Sequence, residues 1–554
     1  MEERPIETGS RKFIAGEVLL ILVVFFLFAG GMAPDVNEAH YLSKAKHYWN
    51  PEWCQGDHFL ESDDAHTVFF WAFGWVTLFL SLPATAWLGR VLTWFLLAWS
   101  WWRLSDGVTP QRWMPVLTAS VFVCLMHYGH FAGEWVVGGV EAKGISFALM
   151  LFSLGYVVRD RWTPAWLLAG ISTSFHVLVG GWSLCALLAA SVAVRGLGRT
   201  CRSWWAVLGA ALLTLPGLWP ALQLAADATA AEVTLANEIY VFHRLSHHLV
   251  FHRIFYSHGG LYALRFGVLL MGWGWLVWHL RRQPRICTLQ KVVAAAVAIA
   301  SVGVVIDQAT LWDRVLAAAW LRFYWFRLSD VMVPLGIAIG TGYWWRVERS
   351  QRPVLARGLL IVLIVFSGVG LSVRALRRRV ERRPAAVVQA NPILRDQTEL
   401  ARDRYLDWVR VCQWIRVNTR RDASFLTPLR QQTFKWYAHR SEVATRKDVP
   451  QNARSLVQWQ QRMQDLRPLQ LNGVDQLNSA DQGNSADQGE IQKLLAVCRS
   501  YGVTHVLIDR LDSEGSLPLT RVYPRGPEQN RHFSVFRLRS QTIVLPAPRT
   551  RSSR

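Results

Sequence analysis

Up to about Ala375 the chain is a succession of apolar runs, each close to the roughly 20 residues that cross a bilayer core. Lipid offers the backbone no hydrogen bonds, so runs of this kind fold as helices that satisfy their own amides. Hydropathy and loop charge place spans near 13–32, 84–104, 113–128, 144–158, 163–179, 182–194, 204–222, 262–280, 291–306, 328–345 and 354–374, eleven in all. With the N-terminus inside, the short cytoplasmic loops hold Arg103 and Arg112; Arg159 and Arg161; Arg195, Arg199 and Arg202; Arg281, Arg282, Arg285 and Lys291; Arg346, Arg349 and Arg352. Every internal turn then obeys the positive-inside rule. The 29 Trp cluster near run ends (Trp99, Trp101, Trp102; Trp204, Trp205; Trp344, Trp345), where indole prefers the headgroup level.

This layout divides 554 residues into a multi-span body, 1–376, and an extramembrane C-terminal domain, 377–554, in which Arg, Gln and Asp dominate. The first run follows Arg11 and Lys12 and is longer than a signal peptide's apolar region, so it reads as an uncleaved span. Val68 to Leu82 is apolar but is expected to lie on, or dip into, the outer face. The run Arg374, Arg377, Arg378, Arg379, Arg382, Arg383 pulls the tail toward the cytoplasm, yet long domains translocate largely regardless of charge, and the tail is expected outside. Its pattern is α/β. Asp403 to Asn418 has helical periodicity, Ala423–Thr427 and Val503–Ile508 have the look of short buried strands, and NSADQG, repeated in tandem over 478–489, marks a polar insertion, 471–490. The net charge of +21 serves orientation and contact with anionic lipid; no nucleic-acid-binding motif accompanies it. The seven cysteines have no metal-ligand spacing, and a Cys412–Cys498 disulfide in the tail has no support from the pattern.

Unusual polar residues gather in the external loops, 33–67, 129–143, 223–261 and 307–327. In the first loop Asp35 follows the first span and Glu38 comes one helical turn later, on the same face. Such a carboxylate can act as a general base or hold a divalent cation, Mg or Mn; alternatively Asp35 and Glu38 merely cap a helix. Asp57 lies further along the same loop. Glu134, Glu141 and Lys143 sit among glycines between spans three and four, where charges near the membrane are paired or functional. His176, inside a predicted span, reads as a core residue. His243 with His247, and His248 with His252, have the spacing helices use for metal, but no carboxylate or Cys completes a site in that segment. Arg244 with His247 and His248 makes a better anion-binding face. Arg322 and Arg327 stand at the mouth of span ten, and their forked donors suit phosphate.

The arrangement resembles the GT-C superfamily of membrane glycosyltransferases, which use polyprenyl-phosphate-linked sugar donors. PDVNEAHYLSKAKHYW stands in the place of that family's acidic first loop, and Asp35 matches the carboxylate its members use as base or metal ligand. Glu38 matches the acidic companion, although Val36 and Asn37 separate two residues that family motifs often hold adjacent. Glu134 or Glu141 falls where many members carry a second acidic residue, and Arg322 or Arg327 where lipid-phosphate contacts occur. VCQWIRVNTRRDASFLTP looks like the helix-then-strand opening of the family's C-terminal domains. The resemblance implies a multi-pass protein of a bacterial inner membrane, acting in the cell envelope. It would invert the anomeric centre as it moves a sugar from a polyprenyl-phosphate donor to an acceptor at the outer face. Two rivals come from other classes: a transporter or flippase of lipid-linked or anionic substrates, and a non-catalytic membrane scaffold.

Overall fold

The computed structural model describes residues 11–390, 399–469, 487–509, 519–526 and 528–538. In chain order the first helices are α1 (Arg11–Ala29), α2 (Glu38–Trp49), α3 (Thr67–Gly74), α4 (Leu82–Val108), α5 (Met114–Gly129), α6 (Ala142–Val157), α7 (Trp162–Phe175) and α8 (Val177–Arg195). Next come α9 (Leu197–Arg202), α10 (Trp204–Gln223), α11 (Ala230–Glu238), α12 (Ser246–Leu249), α13 (Phe251–Tyr256), α14 (Leu261–Leu280), α15 (Pro284–Gln308), α16 (Arg314–Leu321), α17 (Arg327–Glu348) and α18 (Pro353–Val380). The C-terminal part adds α19 (Ala385–Ala390), α20 (Glu399–Asn418), β1 (Ser424–Leu426), α21 (Phe434–Ala438), β2 (Ser441–Glu442), α22 (Ala453–Leu466), α23 (Asp487–Ser500), β3 (His505–Asp509), β4 (Thr520–Tyr523) and β5 (Phe533–Arg537).

Each of the eleven expected spans is a helix: α1, α4 to α8, α10, α14, α15, α17 and α18. The protein is a multi-pass membrane protein. Among the described residues six helices are long and apolar enough by length and composition to cross a membrane unaided, and α5 and α6 are shorter apolar helices. The segment after His66 is α3 followed by a 3-10 turn, Trp75–Leu78, too short to cross. Its exposed Trp71, Trp75 and Phe79 suit a bilayer surface.

The chain forms two compact units. One comprises residues 1–31, 64–73 and 84–382. Its core is filled by Phe25, Trp94, Trp101, Phe122 and Phe147, with Trp101 and Phe122 stacked at 4.5 Å between centroids. Glu17, in the first span, does not snorkel. It is buried and accepts hydrogen bonds from Trp102 Nε1 at 2.8 Å and Trp113 N at 2.6 Å, which satisfy both carboxyl oxygens at that depth. Small residues bring α7 and α10 together; a Cβ on Gly217 would collide with the Ser174 carbonyl.

The second unit comprises 32–63, 74–83 and 383–554, so the first loop up to Asp63 belongs with the C-terminal segment and not with the helical body. The physical cause is a buried ion cluster. Lys435 Nζ lies 3.3 Å from Asp57, 2.7 Å from Glu442 and 2.7 Å from Asp448. Asp448 also meets His40 at 3.2 Å. At the loop's start, the Ala386 amide donates to the Pro34 carbonyl at 3.3 Å. The first loop and the C-terminal segment are therefore on the same side of the membrane.

The C-terminal segment carries a five-stranded mixed sheet in the order β2-β1-β3-β5-β4. β1 is parallel to β2 and β3, and β5 is antiparallel to β3 and β4. Phe425 pairs with His505 and Leu426 with Val506. The expected helix is α20, which sends Trp408, Val411, Cys412 and Ile415 into a core with Phe425, Leu507, Phe533 and Val535. Arg404 on α20 is buried in an ion pair with Asp509 at the end of β3. Cys412 and Cys498 are both buried free thiols. Most of the tandem repeat, 478–486, lies outside the described residues.

Candidate active site

The helical body concentrates its buried charge at one end. From the polar turn Arg159–Arg161, the 14 residues of α7 rise about 21 Å, short of the ~30 Å hydrocarbon core. The turn at His176 therefore lies short of the far edge of a hydrocarbon layer that begins at that polar turn. The start of α6, the start of α17 and the loop joining α5 to α6 meet at this recessed level.

That loop carries Glu134, and its shape is set by α17. The Asp330 carboxylate accepts from the amides of Phe131 at 2.7 Å, Ala132 at 2.8 Å and Glu134 at 3.2 Å. His248 Nδ1 meets the Ala132 carbonyl at 2.6 Å. Between them Gly133 adopts a φ of +76°, and a Cβ there would sit 2.9 Å from the His248 ring. Only glycine meets both conditions without strain.

Held this way, Glu134 is 2% exposed and receives Lys143 Nζ at 2.6 Å on one oxygen, with Arg327 Nε 3.3 Å from the other. Burial alone would raise its pKa, but the Lys143 and Arg327 cations outweigh burial and hold it below the ordinary glutamate value. Lys143 also lies 3.6 Å from Glu141 and 3.4 Å from the Trp135 ring centroid, a cation–π contact. The expected Glu141–Lys143 loop pair thus exists, with Glu134 as its tighter member. Arg327 stacks over Tyr324 at 3.8 Å and lines a cleft with His176, Tyr324 and Trp182. His176 is at the α7–α8 junction, where its ring nitrogen caps α8 by accepting from Val179 N at 3.2 Å. It faces the His66 ring at 5.0 Å, and His66 Nδ1 is bonded to Asp64 at 2.8 Å. His176 is therefore a member of a polar centre, not an isolated core histidine.

Arg322 lies just before α17 and is part-buried. Its guanidinium donates to Asn237 Oδ1 at 2.6 Å; among the described residues no carboxylate pairs with it. Beside it Tyr240 and Tyr324 share a hydroxyl–hydroxyl bond of 2.9 Å. Burial pulls the Arg322 pKa below the usual arginine value, and the two phenols act in the opposite sense. A cation offset only by neutral groups in a poorly solvated place is a ready site for an anion.

The His-rich segment does not form a zinc helix. The chain passes from a π turn (Ile239–Arg244) to α12 and then α13, with breaks at Leu245 and Val250 that destroy the i, i+4 register. His248 serves the Ala132 carbonyl, and His252 Nδ1 is 3.0 Å from Asp307. His247 lies against His248, ring centroids 4.0 Å apart, and Arg244 is part-buried close by in sequence.

In the other unit, the acidic residues of the first loop divide by role. Glu38 is fully buried, and its carboxylate accepts from the Asp35 amide at 2.7 Å, so it is spent on the turn that opens α2. Asp35 itself does not cap the helix. It accepts from the Val36 amide at 2.8 Å, is part-exposed, and has no ion-pair partner among the described residues. Asp57 is fully buried, bonding the amides of Phe59, Leu60 and Glu442 as well as meeting Lys435. That burial leaves it unable to serve as a second acidic site for a substrate. No group of three or more His, Cys, Asp or Glu side chains is arranged to hold a metal among the described residues. Asn237, Tyr240 and Tyr324 are absent from the sequence-level candidates; Tyr and Asn carry no pattern there that marks them.

A family model described as a domain of unknown function (DUF6798) matches residues 406–466, from within α20 to the end of α22. No curated protein matches the chain. Among solved structures, an oligosaccharyltransferase of Archaeoglobus fulgidus in complex with Zn and sulfate overlays with a TM-score of 0.47 at 9% identity, covering 90% of this chain and 68% of that one. ArnT from Cupriavidus metallidurans bound to undecaprenyl phosphate gives 0.45 at 14% identity, covering 97% and 99%.

Proposed function

We propose that this chain is a GT-C-type membrane glycosyltransferase that moves a sugar from a polyprenyl-phosphate donor to an acceptor hydroxyl at the outer face of a bacterial inner membrane. The observation that carries the reading is Arg322, a part-buried guanidinium with neutral partners at the mouth of α17. A lipid-borne phosphate supplies the missing negative charge, and the lipid tail explains why the site is sunk to membrane depth. The acidic first loop, with Asp35 paired to no cation among the described residues, supports the same reading.

In the proposed reaction Arg322 grips the donor phosphate, with the Tyr240 and Tyr324 hydroxyls beside it. Arg327 and Lys143, already neutralised by Glu134 and Glu141 together, hold the neighbouring loop rigid. Asp35 takes the proton from the acceptor hydroxyl as its oxygen bonds to the anomeric carbon. The bond from that carbon to the phosphate oxygen breaks, and the phosphate leaves with the electron pair on its lipid. Attack opposite the leaving group inverts the anomeric centre, and a phosphate anion needs no protein acid to depart. Binding of polyprenyl phosphate to the purified protein tests the anion site. Arg322→Gln should weaken it about 10–100-fold, the worth of one charge-assisted contact. Unchanged binding would refute the role given to Arg322.

A further inference from the structure

The opposite end of the helical body holds a second charged cavity that the proposed chemistry does not use. Around the C-terminal ends of α4, α6 and α8 and the start of α15 there is an open cleft enclosing 1380 Å³ of empty space, its mouth included. Val157, Val158 and Val194 form its apolar wall, and Arg195, Arg199 and Arg285 stand at its rim. The carboxylates of the cleft are already engaged. Asp106 pairs with Arg159 at 3.1 Å, and Asp160 accepts from Trp162 Nε1 at 2.7 Å. Arg159 is further bound to the carbonyls of Arg103 and Gly155, at 2.6 and 2.7 Å, and is a wall element. Among the described residues, Arg195 and Arg199 have no anionic partner. The Arg195 guanidinium reaches only the Ser203 hydroxyl, at 3.3 Å, and lies 5.3 Å over the Trp162 ring. Arg199 is exposed, and its side chain has no partner among the described residues.

The level of the cleft in the bilayer is marked by its neighbours. Leu197 is 66% exposed on α9, and Trp204 and Trp205, at the start of α10, are 49% and 68% exposed. Exposed indoles of this kind sit at the headgroup layer. A cavity with an apolar wall, a cationic rim and a headgroup-level mouth matches one ligand chemistry. We infer that it binds the phosphodiester of an anionic glycerophospholipid, with Arg195 and Arg199 as the phosphate contacts and the valines against the upper acyl carbons. Arg195 ends α8 and Arg199 lies on α9, within the basic segment 195–202, and the cleft gives that charge a specific ligand as well as an orienting role.

The test is native mass spectrometry of the full chain released from phosphatidylcholine nanodiscs doped with phosphatidylglycerol. The wild type should retain phosphatidylglycerol in preference to phosphatidylcholine. The Arg195→Gln/Arg199→Gln variant should retain it about tenfold less or weaker still. Millimolar inorganic phosphate should not displace it. Should the double variant fold poorly, Arg199→Glu alone, at an exposed position with no contact to lose, should show the same loss. Equal retention of the two lipids, unchanged retention in the variants, or displacement by inorganic phosphate would each overturn the assignment.

Discussion

Lys143 and Glu134 illustrate what a single residue does at the recessed end of the body. With both side chains buried and 2.6 Å apart, removing one partner strands the other as an uncompensated charge. Lys143→Met should cost about 3–5 kcal/mol, read as a loss of thermal stability in detergent, and Lys143→Met/Glu134→Gln should recover much of it. If the double variant were no more stable than the single, the pair would not be the source of the effect. Gly133 makes a second, backbone-level case. Its φ of +76° and the nearby His248 ring predict that Gly133→Ala destabilises the loop by about 1–3 kcal/mol. Some of this was legible in the chain: charges flanked by glycines next to a span had to be paired or functional, and Glu134, Glu141 and Lys143 are paired. Asp330 was not legible as the cradle of the loop, because the amide it binds at Phe131 is 199 residues away. The same holds for His66 and His176, which nothing local in the sequence connects.

At the scale of elements, apolar runs and loop charge were enough to position eleven helices, because hydrocarbon enforces helix and length together. Finer boundaries were not. Span five was expected to run to residue 179, and the chain turns back at His176. The four-residue histidine spacing misled for a related reason, since it assumes one continuous helix where the chain kinks twice. The ion cluster of the second unit gives a pH prediction. Burial, with the nearby Asp448 and Asp57 charges, pushes Glu442 up to about 7 against the opposing pull of Lys435. A carboxyl raised above its unfolded value of 4.5 stabilises the fold below that value and loses its contribution as pH rises through about 7. His58, His439 and His505, held down by burial to about 4, 3 and 4, tilt the opposite way up to about 6.5. The sign is therefore read from a difference. Glu442→Gln should gain stability relative to the wild type between pH 4.5 and 7, by at most about 3 kcal/mol, and then level off. A difference that stayed flat with pH would show that Glu442 is ionised throughout.

At the scale of the whole molecule, the sequence left the side of the C-terminal domain divided between a basic run that argued for one face and a chain layout that argued for the other. Contacts made by residues 385 positions apart, Asp57 with the Glu442 amide, settle that the first loop and the tail share a side. No periodicity encodes such a contact. Single cysteines at Glu52 and Asp422, both exposed, in a background with Cys185 and Cys201 replaced by Ser, should react with an impermeant maleimide from the same side of sealed vesicles. Labelling from opposite sides would be incompatible with the packing of the loop on the tail. The proposed transfer needs a base, Asp35, and a grip on the donor phosphate, Arg322. Turnover by the purified, reconstituted protein on a panel of undecaprenyl-phosphate sugars measures this most directly. The wild type should release undecaprenyl phosphate with at least one donor, and Asp35→Asn should bind that donor as well as the wild type while losing about 99% or more of the turnover, the scale of a general base. Full turnover by Asp35→Asn, or transport of an intact donor with no bond broken by either protein, would contradict it.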